Sequence, residues 1–569
     1  MRFIIGVGSH SEVVHSILKL NKTGDDIKFL GYPEVKDKTK LSELINIKYI
    51  GGLDEYLKSG THSQQSDEFI IALGDNALRK EVAEKYPKLK YINAIHPQAI
   101  IIDESKSMKI GVGNVICPGV VIQVGVVIGN HNIINTNASI DHHGNIGNYC
   151  HLAPNTAICG NVTIHEGVFI GVGSSITPKT SIGPWEFHKA HSLITKSSAP
   201  IPMYEPYLNK YKTSMLDAIE SGWVSSIGKY VGLATDKFKE LLNAKHVLLV
   251  NNGTSATHCL FLALKFKYPN IKTIYVPNNV YVAVWNCALM VYPSSYLKVM
   301  KMNHETWNMN TDEKYISTLE KDSAVVVVHN LGNIVNIPRL KKLRPDLIFI
   351  EDSCEGLFGK YEGKYTGASD VTLCSSFSFF GNKTITSGEG GAITTLDKDV
   401  YDYLSKVCNQ GNTSVRYVHD VLGYNYRMTN IQAALLYDQL NDINHILKMK
   451  SDVFKNYEKL LSESKSCKIQ EVESGTERAN WIFGVRLTAT QSHNKSFDSM
   501  SKYMSSKGSD TRPMFHPIET HKHLSGIEYD KSESLKSHEI VMLPSSPTLQ
   551  FQIQKHIIES LLSYHLSTK

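Results

Sequence analysis

From Ile110 an aliphatic residue returns at every sixth position: Ile110, Ile116, Ile122, Ile128, Ile134, Ile140, Ile146, Leu152, Ile158, Ile164, Ile170, Ile176 and Ile182. Thirteen consecutive positions obey this spacing, and glycine follows directly at 111, 129, 147, 171 and 183. Neither an α-helix nor an ordinary strand has a period of six. A parallel β-helix of hexapeptide repeats does: each coil has three short faces, and the aliphatic side chain fills the interior at each one. The thirteen positions span 72 residues, or four coils of eighteen. The pattern fails at His188 and returns at Ile194.

At 569 residues the chain is too long for one core, and the flanks of the repeat differ from it. Residues 1–95 begin FIIGVG, an apolar run that breaks at glycines, followed by SEVVHSILKL at helical spacing. Gly6, Gly8 and Ser11 occupy the places of a GxGxxG loop, with the third glycine missing. The reading is a small βαβ unit that holds phosphates at a helix N-terminus. The β-helix occupies 96–198. KSSAPIPMYEP (196–206) reads as a linker. Residues 203–569 alternate strand-like and helix-like stretches, as in an α/β domain with a central sheet covered by helices.

Composition narrows the function classes. The 60 basic and 55 acidic residues are too balanced for a nucleic-acid partner, and no basic stripe carries interleaved aromatics. Nine scattered cysteines form no CxxC and no Cys/His cluster, so they read as reduced thiols with no metal site. MRFIIGVGSH lacks the features of a signal peptide, and no apolar run approaches a membrane span. A cytoplasmic protein is expected.

The chemistry centres on SSFSFFGNKTITSGEGGAITT (375–395), where a single lysine, Lys383, sits between an aromatic strand and a glycine-rich loop. Taken alone it is a surface lysine. Its companions change that reading. Asp352 ends the strand LIFIED, where α/β sheets place ligand-binding residues. NNGTSAT (251–257) opens a helix whose amides can receive a phosphate. Ser378 offers a hydroxyl at a strand end, and Tyr281 an aromatic ring just past another. Singly, Asp352 also reads as a helix cap and Tyr281 as core. As a set they make a pyridoxal phosphate site: a lysine for the Schiff base, a carboxylate for the pyridine nitrogen, donors for the phosphate, and a ring to stack.

Residues 203–569 resemble the DegT/DnrJ-type nucleotide-sugar aminotransferases, especially the perosamine synthase branch. The resemblance rests on GWVSSIGKYV (222–231), NNGTSATH, IEDSCEGLFGKYEGKYTG (350–367), the lysine stretch, GYNYRMTN (423–430), TRPMFHP (511–517) and LPSSPTL (543–549). It implies an aspartate aminotransferase-like fold of type I, with Lys383 as internal aldimine and proton shuttle. It further implies that Asp352 pairs with the pyridine nitrogen and that Tyr281 stacks on the ring. Gly253, Thr254, Ser255 and Ser378 would hold the phosphate, with Asn425 reaching across from a second subunit. Glu355 and Arg512 would lie near the sugar nucleotide. Related dehydratases carry histidine in place of the lysine, so Lys383 implies transamination.

The N-terminal half resembles the sialic-acid and bacillosamine-type sugar acyltransferases, in which a small nucleotide-binding domain precedes a left-handed β-helix. The matching pieces are IIGVGSHSEVV, IALGDNALRK (71–80), INAIHPQAII (92–101), IINTNASIDHHGNIGNYCHLAPNTAI (133–158) and FIGVGSSI (169–176). By this resemblance His142 is the general base, His151 and Gly173 lie beside acetyl-coenzyme A, and Gly6, Gly8 and His10 form the sugar-nucleotide loop. Two stretches depart from the family: His143 stands where an acid usually follows the base, and His188-Lys189-Ala190-His191 replaces a glycine–alanine–glycine stretch.

The expected function is bifunctional. The C-terminal half would move an amino group from L-glutamate to C4 of a UDP- or GDP-linked 4-keto-6-deoxy sugar, and the N-terminal half would acetylate that amine with acetyl-coenzyme A. A trimerising β-helix and a dimerising aminotransferase imply a hexamer. Two rivals stand beside this reading: an aminotransferase with a degenerate N-terminal scaffold, and a non-catalytic sugar-nucleotide sensor.

Overall fold

The computed structural model describes residues 1–21, 26–32, 49–59, 66–103, 107–195, 201–487, 497–527 and 534–566. The start of the expected linker, 196–200, lies outside them. The chain divides into two units, one essentially residues 1–201 and the other 202–569.

The first unit opens with a five-stranded parallel sheet in the order Tyr49–Gly52, Ile27–Gly31, Arg2–Ile5, Glu68–Ile71, Lys90–Tyr91. This is a fuller doubly wound sheet than one βαβ unit. Its strand order reverses between Arg2–Ile5 and Glu68–Ile71, and such sheets bind ligands at the carboxyl ends flanking that point. Gly6 follows the first of these strands with φ of +124°, and a Cβ there would come within 3.0 Å of the Ala72 carbonyl oxygen across the gap. Only glycine suits that position. Ser11, fully buried where a third glycine would stand, turns its hydroxyl onto the Gly8 carbonyl at the helix start.

The repeat forms the expected parallel β-helix. Two-residue rungs stack in register eighteen residues apart on three faces: Ile122 pairs with Ile140, Ile140 with Ile158, and Ile158 with Ile176. From Ile116 to Ile182 every sixth side chain is at most 2% exposed. The ladder begins at Ala94–Ile95, and it runs through His188. There Nε2 of the ring meets the Glu186 carboxylate at 3.0 Å, so a polar pair replaces the missing aliphatic.

The second unit is built on a seven-stranded mixed sheet in the order His246–Val250, Gly391–Thr395, Thr372–Ser378, Ile348–Asp352, Ala324–Val328, Ile274–Pro277, Leu297–Met300. The strands Thr372–Ser378 to Leu297–Met300 run parallel, and the near-continuous apolar runs AVVVV and IYVP are fully buried between helices. A smaller antiparallel sheet follows, in the order Cys467–Ile469, Phe483–Leu487, Ile540–Leu543, Arg512–Pro513. Helices Ile443–Leu461 and Phe551–Leu566 accompany it. Among the described residues no helix is long and apolar enough to cross a membrane.

Candidate active site

A cavity of about 340 Å³ opens at the carboxyl ends of the central strands. Asp352 is the last residue of its strand and Ser378 the last of the neighbouring one, paired two registers apart through Ser376. The helix Gly253–Lys267 points its N-terminus at them, capped by Asn252, whose side chain accepts a 2.8 Å bond from the Ser255 amide. Gly253 packs on Ser378 so closely that a Cβ would sit 2.6 Å from the serine Cβ. Glycine therefore brings the helix N-terminus and the hydroxyl to one point. Lys383 follows in a tight turn, its amide donating to the Phe380 carbonyl, and only 12% of its side chain is exposed. The surface reading of this lysine fails.

The structure gathers Lys383, Asp352, Gly253, Thr254, Tyr281, Ser378 and Glu355 around this one cavity. Tyr281 is 58% exposed at its mouth, edge-on to Phe515, and so is not core. Asp352 caps no helix: its Oδ1 accepts from the Cys354 amide at 2.9 Å and its Oδ2 from the Thr257 hydroxyl at 3.4 Å. Ser255 spends its amide on the helix cap and does not line the cavity. Arg512 lines an adjoining chamber of about 560 Å³ that shares Tyr281, Asn382, Trp481 and Phe515 with the first. Asn425 lines neither; it pairs with Asn409 in a short antiparallel bridge.

Electrostatics mark two carboxylates. Asp352 is buried and pairs with no cation among the described residues, a costly arrangement unless a positive group completes it. Glu355 is buried as well, and desolvation pushes its carboxyl up to about 7 against the opposing pull of Lys383. Its Oε2 accepts from the Leu331 amide at 2.9 Å, and its Oε1 lies 3.8 Å from the Lys383 Nζ. An unpaired buried carboxylate facing a helix N-terminus and a hydroxyl fits a pyridinium ring bearing a phosphate, and Lys383 fits the aldehyde between them.

Two further contributors were not singled out in the sequence. Trp481 lays its indole 3.8 Å from the Lys383 Nζ, and Thr257 backs Asp352. Among the described residues no group of three His, Cys, Asp or Glu side chains is placed to hold a metal.

In the first unit His10 and His151 are half-buried, and desolvation together with the charge of Arg79 lowers their imidazoles to about 4 and about 3. Arg79 itself is fully buried. It donates to the carbonyls of Leu73 and Gly74 in the sheet domain and of His131, Tyr149 and Cys150 in the β-helix, which staples the two. His142 is exposed at a corner, its ring lying over Gly160. Its Nδ1 is 3.2 Å from the Nδ1 of His143, while Asp141 accepts from the His142 amide and leaves the ring alone. Gly173, with φ of +67°, sits against the His191 ring.

Comparison with known proteins agrees with both halves. The model of the DegT/DnrJ/EryC1/StrS aminotransferase family matches residues 208–562, and that of the PglD N-terminal domain matches residues 3–86. GDP-perosamine synthase of Escherichia coli O157:H7 is 32% identical over 378 residues, 64% of this chain and 98% of the relative. The Vibrio cholerae GDP-perosamine synthase is 33% identical over 372 residues, 64% of this chain and 99% of the relative. Among solved structures, Helicobacter pylori PseC, an aminotransferase involved in the biosynthesis of pseudoaminic acid, aligns with a TM-score of 0.57 at 22% identity, over 64% of this chain and 99% of its own. An E. coli GDP-4-keto-6-deoxy-D-mannose-3-dehydratase with bound hydrated PLP aligns with a TM-score of 0.57 at 19% identity, over 63% and 98%. These two establish the fold. With its cavity, its lysine and this match across most of its length, the chain belongs to the DegT/DnrJ/EryC1/StrS aminotransferase family and carries a PglD-type domain at its N-terminus.

Proposed function

We propose that the chain makes and then acetylates a 4-amino sugar: it transfers an amino group from L-glutamate to C4 of a nucleotide-linked 4-keto-6-deoxy sugar, leaving 2-oxoglutarate, and then transfers the acetyl group of acetyl-coenzyme A onto that amine, releasing coenzyme A. The observation that carries the first step is the convergence of Lys383, Asp352, Gly253 and Ser378 on one cavity. The likeness to GDP-perosamine synthases supports a GDP-linked substrate.

Pyridoxal phosphate, when bound, supplies an electron sink for the carbon that loses a proton. The Gly253 and Thr254 amides, with the Ser378 hydroxyl, would receive its phosphate at the helix N-terminus. Asp352 would face its ring nitrogen and hold a proton there, since a buried carboxylate with no other cation favours a charged partner. Tyr281 covers the mouth of the cavity. The Lys383 amine holds and releases the proton that moves during transfer, with Glu355 3.8 Å away to share its charge. The adjoining chamber would take the nucleotide diphosphate, with Arg512, paired with Asp510 there, as its cation. Asn425, which lines neither chamber of its own chain, would serve the site of a second subunit by the resemblance.

The second step rests on the resemblance and on the geometry of His142. A sugar amine must lose a proton as it attacks a thioester, and a base near neutrality suits that task. With Nδ1 turned to His143, the Nε2 of His142 is the nitrogen left for the amine. The loop Gly6–His10, at the reversal of strand order, suits the nucleotide, and His151 with Gly173 would line the coenzyme. The rival reading, a scaffold half without acetylation, draws on the His191 ring at Gly173. Assaying amination and acetylation separately on GDP- and UDP-linked 4-keto and 4-amino sugars decides between them. Amination without acetylation on every sugar would leave the scaffold reading standing.

A further inference from the structure

Lys383 is held in an unusual way. Among the described residues no group accepts a hydrogen bond from its amine. Instead Nζ lies 3.8 Å from the centre of the Trp481 indole and 3.8 Å from Glu355 Oε1. A ring face attracts a cation electrostatically without directing its protons, and a carboxylate at that distance adds charge attraction without a short bond. An amine held so stays near the cavity while all three of its protons remain free to be passed on.

The indole is itself locked. Trp481 is 4% exposed, and its Nε1 donates at 2.8 Å to the carbonyl of Asn382, the residue directly before the lysine. Its own carbonyl accepts at 2.7 Å from Lys450 Nζ. Lys450 is fully buried with no carboxylate partner among the described residues; it bridges to the Ser545 carbonyl and lies 4.8 Å from the Tyr204 ring centre. A buried lysine spent on two main-chain carbonyls is expensive, and its bond fixes the segment just before the strand Phe483–Leu487, where Trp481 sits. Glu355 is fixed too, by the Leu331 amide on its carboxylate.

We propose that Trp481 is a positioning residue for the amino-transfer reaction: its indole face and the Glu355 carboxylate form a parking place for the Lys383 ammonium whenever that amine is not covalently engaged. The inference rests on Lys383 being the reactive lysine of the cavity, and its test reads the lysine itself, independently of any sugar substrate.

Full-length enzyme freed of coenzyme is treated with acetic anhydride at neutral pH, and modification of Lys383 is measured by mass spectrometry against exposed Lys342 as internal standard. Only an uncharged amine reacts. Trp481→Leu removes the ring face and should speed Lys383 modification roughly 3- to 30-fold, the range a buried cation–π contact implies. Trp481→Phe keeps a weaker face and should fall between wild type and Trp481→Leu. In the coenzyme-loaded enzyme kcat for amination should fall in the same order. Equal modification in all three proteins, or a Phe variant as fast as a well-folded Leu variant, would overturn the proposal. If the Leu variant melts early, Trp481→Phe alone decides: faster modification than wild type supports the parking place, and an unchanged rate refutes it.

Discussion

Glu355 Oε1 stands 3.8 Å from Lys383 Nζ, and both groups line the same cavity. The pair has a consequence for stability. Burial lifts the Glu355 carboxyl from 4.5 to about 7 in the folded chain, so the fold binds this proton more tightly than the unfolded chain does. Stability from that proton is full below about pH 4.5 and is lost as pH rises through about 7. Glu355→Gln keeps the shape without the charge. In coenzyme-free protein its melting advantage over wild type should grow between those limits and then level off, reaching on the order of 3 kcal/mol. A gap independent of pH would show that the carboxyl is not destabilised by burial.

Lys383→Ala should abolish amination and the visible absorption that coenzyme gives on binding this lysine. Acetylation of a supplied 4-amino sugar should persist, since His142 belongs to the other unit. Spectra and the two separate assays check this, and a variant that still turns over L-glutamate would remove Lys383 from the mechanism.

His142→Ala should lower acetylation by roughly the 10²- to 10⁴-fold typical of a lost general base, with amination unchanged. His143→Ala should do much less, because a second imidazole at 3.2 Å orients the ring of His142 without supplying the negative charge of an acid. Initial rates of coenzyme A release measure both. Parent rates in both variants would mean that this half uses another base or none.

Assembly should follow the two halves. Under the proposed reading, a coenzyme site between neighbouring β-helices would close three-fold and an Asn425 reaching a partner's cavity would close two-fold, so the simplest closed particle is a hexamer. Light scattering should report six chains. A monomer, or a dimer with acetylation intact, contradicts it.

The β-helix was legible because its interior admits one side chain every sixth residue, which writes the fold into the sequence from Ile110 to Ile182. The lysine cavity was legible because Asp352 and Ser378 end strands and Gly253 starts a helix, with Lys383 a few residues beyond Ser378. Ser255 read as a phosphate ligand, yet Asn252 takes its amide for the helix cap, a choice that depends on local geometry. Trp481, Lys450 and Arg79 could not be read at all. Each acts through partners tens of residues away, and a buried Lys or Arg looks in sequence like any surface charge. The first sheet was underestimated because its outer strands, Tyr49–Gly52 and Lys90–Tyr91, are too short to show a periodicity.

The most direct test of the account is one reaction followed by mass spectrometry. Wild-type enzyme receives GDP-4-keto-6-deoxymannose, its UDP-linked counterpart in a parallel tube, L-glutamate and pyridoxal phosphate, with acetyl-coenzyme A added or withheld. The account predicts a GDP-linked 4-amino sugar without acetyl-coenzyme A, and its complete conversion to a product heavier by one acetyl group when the coenzyme is present. A 4-amino sugar that accumulates unchanged beside acetyl-coenzyme A, with either nucleotide, would contradict it.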